Sequence, residues 1–178
     1  QHDMVSGVQS CELDLTVPKP LLIAPNPPFP NAALPVLVYP QALGPGDDFA
    51  ALFEKNGWRG IWVNGVYGFD HFHADAHEAL GCVAGWARLR LGGPEGIEVK
   101  VQAGDAVLLP AGTGHRNLAQ SADFSIVGAY PPGQSPDLQR GDVAAYPGLL
   151  TRARAVPLPE TDPVTGAQGA VHQHWHTI

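Results

Sequence analysis

The chain has 178 residues, 44% apolar and 15% charged, and a formal net charge of −7. That length and apolar content suit one folded domain with a sizeable core and exclude a disordered chain. The acidic balance, with no run of Lys or Arg, argues against nucleic acid and anionic membrane surfaces as partners, and no apolar stretch approaches the roughly 20 residues that span a bilayer.

Gln1, His2 and Asp3 precede Met4 and read as additions ahead of a natural start. No charged-then-apolar leader is evident, so the expected compartment is the cytoplasm. Two cysteines, Cys11 and Cys82, do not make a disulfide framework. Residues 1–45 form a Pro-rich arm with two short apolar runs, Leu21 to Ile23 and Leu34 to Tyr39. Proline keeps such runs from a central sheet position and leaves them an edge, or an arm laid across the fold or a neighbouring subunit. A homodimer is the expected assembly. Asp47 or Asp48 can cap a short helix with Phe49, Leu52 and Phe53 on one face and Asn56-Gly57 as its stop. It is expected to pack as a lid or plug.

Strands are predicted at 58–64, 66–73, 78–84, 86–91, 96–102, 105–109, 115–119 and 123–130. With 18 prolines and 21 glycines in the chain, many short strands broken by turns point to a sandwich or barrel. Residues 46–130 would hold the short helix and the barrel. Residues 131–178 are again Pro/Gly-rich, with a short helical piece near 142–150, and belong to the same domain as an outer wrap. No internal repeat of the central pattern appears.

The chemistry concentrates between Gly65 and Glu78. His71 and His73 share a strand face across Phe72. A four-residue loop, Ala74 to His77, would pair His73 with Glu78 in a hairpin and bring two imidazoles and a carboxylate together. His77 is out of phase and should face away or sit in the loop. Further on, Gly104 to Leu109 reads as a turn and an apolar strand, Pro110 to Gly114 as a second turn, and His115 opens the next strand. Gly65, His71, His73, Glu78 and Gly85 match the spacing of the first cupin motif, and Gly104, Pro110, Gly112 and His115 match the second. The chain therefore resembles the cupin superfamily over roughly residues 60 to 130. The closing Asn of the second motif is replaced by Ala119, and Asn117, two residues past His115, is the candidate to take its place.

The resemblance implies an all-β jelly-roll barrel holding one divalent transition metal on His71, His73, Glu78 and His115. Such a donor set suits Fe, Mn, Ni, Co or Cu, with Zn also admissible. Four protein ligands on a six-coordinate ion leave two adjacent positions for water, O₂ or a bidentate substrate. Side-chain parity directs Tyr67, Phe69, Leu80, Leu89 and Asn117 inward, as substrate contacts or as core packing, and leaves Lys and Arg outside. Cys82 is expected to be a small buried hydrophobe. An apolar, aromatic lining suits a small aromatic, enolic or carbonyl compound that chelates the metal. The activity these features suggest is a metal-dependent oxidoreductase of dioxygenase type, with Glu78 as catalytic base. The alternatives are a redox-neutral isomerase, lyase or decarboxylase and a non-catalytic small-molecule binder. His172, His174 and His176 alternate near the C-terminus and are read as an exposed polar tail, or, on a strand, as a second metal site.

Overall fold

The computed structural model describes residues 17–44 and 47–177; the expectations for residues 1–4 and for Cys11 lie outside these. Nine strands are described: β1 (Lys19–Leu21), β2 (Val36–Tyr39), β3 (Arg59–Asn64), β4 (Glu78–Ala84), β5 (Trp86–Leu91), β6 (Ile97–Gln102), β7 (Ala106–Leu109), β8 (His115–Gln120) and β9 (Ser125–Tyr130). Three short helices accompany them, α1 (Phe49–Lys55), α2 (Tyr146–Arg154) and α3 (Ala170–His174). The strands form a six-stranded sheet, β1-β2-β7-β4-β9-β3, and a three-stranded sheet, β6-β5-β8, antiparallel throughout. The two sheets close as an all-β jelly-roll barrel with short peripheral helices.

Strand parity explains why the large sheet reads as nearly continuous apolar runs. Leu80, Cys82, Val107, Leu109 and Ile126 point into the barrel, where they meet Ala87, Leu89 and Leu91 of the small sheet. The alternate residues Ala79, Leu108, Val127 and Ala129 point the other way and meet Phe49, Phe53, Trp58, Val171 and Trp175. A sheet buried on both faces cannot show a polar alternation. Helix α1 is the outer plug: the Asp48 carboxylate caps it by accepting the Ala50 N–H at 2.8 Å. Its Phe49 ring lies so close over β4 that a Cβ on Gly81 would sit 2.3 Å from it, which requires glycine there. Cys82 is buried in the barrel and its thiol donates to the Ala84 carbonyl.

Four expectations change. The run Leu34 to Tyr39 is not at an edge: β2 lies between β1 and β7. Pro35 and Pro40 flank the paired residues instead of interrupting them, so every ladder N–H survives, while β1, which contains Pro20, does take the edge. No strand forms over 66–73, where only isolated bridges at His71 and Phe72 occur. The helix expected near 142–150 begins four residues later, with Pro147 in its first turn. The His172–His176 stretch is helical up to His174, not a strand.

The C-terminal segment is pinned to the outside by a buried carboxylate. Asp162 accepts from the Tyr39 hydroxyl at 2.7 Å and from the Val164, Thr165 and Val171 N–H groups. Trp58 and Trp175 add indole N–H bonds to the Thr161 and Pro35 carbonyls.

Candidate metal centre

The histidine-bearing segment pairs with β8, not with β4. His71 and His115 exchange N–H···O bonds of 3.1 and 2.8 Å, the Gly112 N–H donates to the His73 carbonyl, and the Asn117 N–H donates to the Tyr67 carbonyl. The expected His73–Glu78 hairpin therefore does not form. Its loop is held from a distance instead. One oxygen of the Asp137 carboxylate accepts the Ala74 and Asp75 N–H groups at 2.8 and 2.9 Å, and the Gln134 side chain accepts the His77 N–H. Glu78 pairs with Leu109 on β7. The imidazoles thus come from the small-sheet side and the carboxylate from the large sheet, and they meet between the two.

Each ligand candidate has a fixed tautomer. The Nδ1 atoms of His71, His73 and His115 face the carbonyls of Phe69 (2.9 Å), Asp137 and Thr113 (3.0 Å) respectively. A carbonyl only accepts, so each Nδ1 carries a proton, and each ring, when neutral, keeps its lone pair on Nε2. One ligand atom from each ring lies within 4.8 Å of the other two. Two nitrogens bound to one ion at about 2.1 Å can be at most roughly 4.2 Å apart, so small ring movements close the set. Among the described residues this is the one group of three or more such side chains. The buried histidine triad can hold a metal ion, and its donor chemistry fits the divalent ion that the motifs imply.

Glu78 completes the floor. Its Oε1 is 3.4 Å from His115 Nε2 and its Oε2 is 3.4 Å from His73 Nε2. Burial alone would raise this carboxyl; its contacts with His115 and His73 outweigh burial and hold it well below the usual carboxylate range. Burial and the neighbouring His115 push the His71 imidazole down to about 3, whereas Glu78 raises His73 against its own burial. Tyr130 donates its hydroxyl to Glu78 Oε2 at 2.8 Å and accepts the Trp62 indole N–H at 2.8 Å. Since an indole can only donate, the direction of this relay is fixed from Trp62 through Tyr130 to Glu78. The Trp62 ring lies against β9, where a Cβ on Gly128 would sit 2.0 Å from it.

A cavity of about 520 Å³ opens above this floor, walled by Trp62, Val66, Leu80 and Tyr130. Of the residues expected to line it, Tyr67 and Leu80 do so. Phe69 is placed behind Tyr67, stacked on it at 4.8 Å. Leu89 is fully buried in the core. Asn117 turns its amide to Gln120 Oε1 at 2.7 Å and does not reach the cavity. No Lys or Arg lines the cavity. Trp62, Tyr130 and Asp137 escaped sequence reasoning. Tyr130 shares the inward parity of Ile126, so its position was readable from β9. A register shift between Arg59 and Trp62 obscures the phase of β3, and nothing local marks Asp137.

His77 lies outside the cluster. Its Nδ1 accepts the Ala111 N–H at 2.9 Å, and its Nε2 donates to the Pro157 carbonyl at 3.1 Å. Burial pushes it down to about 4. The exposed His172 and His176 bond to the Glu160 and Gln173 carbonyls and, among the described residues, belong to no group that could hold a metal.

Two motifs in order, on facing sheets that bring three imidazoles together beside one carboxylate, define the class by its architecture: the chain has a cupin-type jelly-roll fold. The chain is 32% identical over 141 residues to the uncharacterized protein YjlB of Bacillus subtilis, covering 79% of this chain and 86% of that one, and shares its family. No family model matches the chain. Among solved structures, a protein with a double-stranded beta-helix domain from Klebsiella pneumoniae is similar over 79% of this chain and 98% of its own, at 15% identity and a TM-score of 0.35. Acireductone dioxygenase from Bacillus anthracis, with a cadmium ion in its active centre, is similar over 50% of this chain and 61% of its own, at 17% identity and a TM-score of 0.37. No described helix is long and apolar enough to cross a membrane.

Proposed function

We propose that this protein is a metal-dependent enzyme, an oxidoreductase of dioxygenase type, acting on a small aromatic, enolic or carbonyl compound that chelates the metal. One observation carries the reading: three histidines, each held by a backbone carbonyl at Nδ1, turn their Nε2 atoms to the floor of a cavity large enough for a small molecule. His71, His73 and His115 hold the ion and Glu78 is the fourth ligand. A bound divalent Fe, Mn, Ni, Co or Cu ion would supply Lewis acidity and one-electron chemistry. Glu78 is held ionised: Tyr130 donates to its Oε2, and its Oε1 faces His115 Nε2. Trp62, Val66 and Leu80 keep bulk water from the substrate.

A second reading rests on the Glu78–Tyr130 pair. A carboxylate and a phenol hydrogen-bonded at 2.8 Å on the cavity floor are the acid and base that a redox-neutral isomerase, lyase or decarboxylase needs. A binder without turnover ranks third. The working setting we propose is a homodimer in the cytoplasm; the buried free thiol of Cys82 suits a reducing compartment. Oxygen-uptake assays on Fe- and Mn-loaded protein with a panel of chelating enols and catechols separate the readings. Substrate-dependent oxygen consumption supports the first, and turnover that persists under anaerobic conditions replaces it with the second.

A further inference from the structure

Three large apolar side chains well open to solvent stand around one opening. Val63 is 62% exposed, Tyr67 55% and Leu138 49%, and all three line the cavity that ends on the histidines. Single exposed apolar residues need no explanation, but a group of them rimming a concave site marks a binding surface. The rim is also braced. The Tyr67 ring stacks on Phe69 with 15° between planes and meets His71 edge-on at 5.1 Å, and the Arg140 guanidinium sits 3.8 Å from the Phe69 centroid. An aromatic wall fixed before binding loses little entropy when a ligand lies on it.

Polarity along the cavity runs one way. The floor carries the three imidazoles and Glu78, and the walls and rim are mostly apolar, with Asn64 and Asp137 as their polar side chains. A charged far end of a ligand would find no cation among the lining residues. The one acidic group at the mouth, Asp137, is already engaged by the Ala74 and Asp75 N–H groups and by Gln139.

Building on the metal-site reading above, we infer that the ligand is an amphiphile, with a chelating oxygen head on the metal and an uncharged aliphatic or aromatic tail that leaves the cavity across Val63, Tyr67 and Leu138. A small hydrophilic chelator would leave that rim in water, and an anionic tail would find no cation lining the cavity, Arg140 lying behind it over the Phe69 ring.

The test uses Co(II)-loaded protein and a series of hydroxamic acids with one head and growing tails, from acetohydroxamate to decanohydroxamate, read by the cobalt absorption spectrum. Affinity is expected to rise about fourfold for each methylene that the rim covers and then to level off. Val63→Ser with Leu138→Ser should flatten that dependence, while Val143→Ser, exposed outside the cavity, should preserve it. Equal affinity for acetohydroxamate and decanohydroxamate overturns the amphiphile and leaves the metal site standing. Failure of every hydroxamate to perturb the spectrum sinks the metal reading and the inference with it. A change of oligomeric state in the double variant, without a change in tail dependence, makes the rim a contact between copies and likewise overturns the inference.

Discussion

His73 and His77 lie four residues apart, and their rings are wired in opposite senses. His73 donates its Nδ1–H to the Asp137 carbonyl, which leaves Nε2 directed at Glu78 and the cavity. His77 spends its Nδ1 lone pair on the Ala111 N–H and its Nε2 proton on the Pro157 carbonyl, with its ring 4.9 Å from that of Trp175. Neither nitrogen of His77 has anything left for a metal. A carbonyl at Nδ1 leaves Nε2 available to a metal, an N–H at Nδ1 makes a structural tie, and that choice is the backbone's rather than the side chain's.

This contrast breaks most visibly under substitution of the two kinds of histidine. His115→Ala is expected to abolish metal retention, from about one ion per chain to none by elemental analysis of untagged protein. His77→Ala should keep the ion and lose about 2–4 kcal/mol of unfolding free energy in urea, because it leaves a cavity and an orphaned Ala111 N–H. Metal loss in both variants, or in neither, would erase the distinction. A smaller effect tests the relay onto Glu78: Tyr130→Phe removes one donor to the carboxylate and should weaken metal affinity roughly 10- to 100-fold in chelator competition. Unchanged affinity would reduce the Trp62–Tyr130 pair to packing.

The smallest effect concerns protons. His77 stays neutral in the folded chain down to about pH 4, whereas an unfolded histidine protonates near 6.5. Between those values the unfolded state binds the extra proton, so this contribution is complete above about pH 6.5 and is lost as pH falls toward 4, at up to ~1.4 kcal/mol per pH unit. His77→Gln can keep both hydrogen bonds and cannot titrate. Urea unfolding of the metal-free proteins at pH 7 and pH 5 should show the wild type losing more stability than the variant. Parallel losses would show that His77 carries no such linkage.

The barrel was largely legible because its signals are local. Turn glycines and prolines bound the strands from 78 to 130, and parity within β4 and β5 sorted Leu80, Cys82, Ala87 and Leu89 to the interior. The identities of the clustered side chains were legible too, since motif spacing survives any error in pairing. The route by which they meet was not. Ala74 to His77 looks like a tight turn, but its N–H groups are satisfied by Asp137 and Gln134, about 60 residues on, and no local pattern announces such partners. The same holds for α3. Alternating histidines suggest a strand, and the buried Val171 and Trp175, which pack on the outer core, decide for a helix.

The segment after β9 does two jobs within two residues. The Asp137 carbonyl orients the ring of His73 and its carboxylate holds the turn behind it, while Leu138 stands at the cavity mouth. Grafting this loop from a homologue to change what the pocket admits would therefore also reset the tilt of the His73 ring. In this scaffold, the shape of the cavity mouth and the setting of the His73 ring are inherited together.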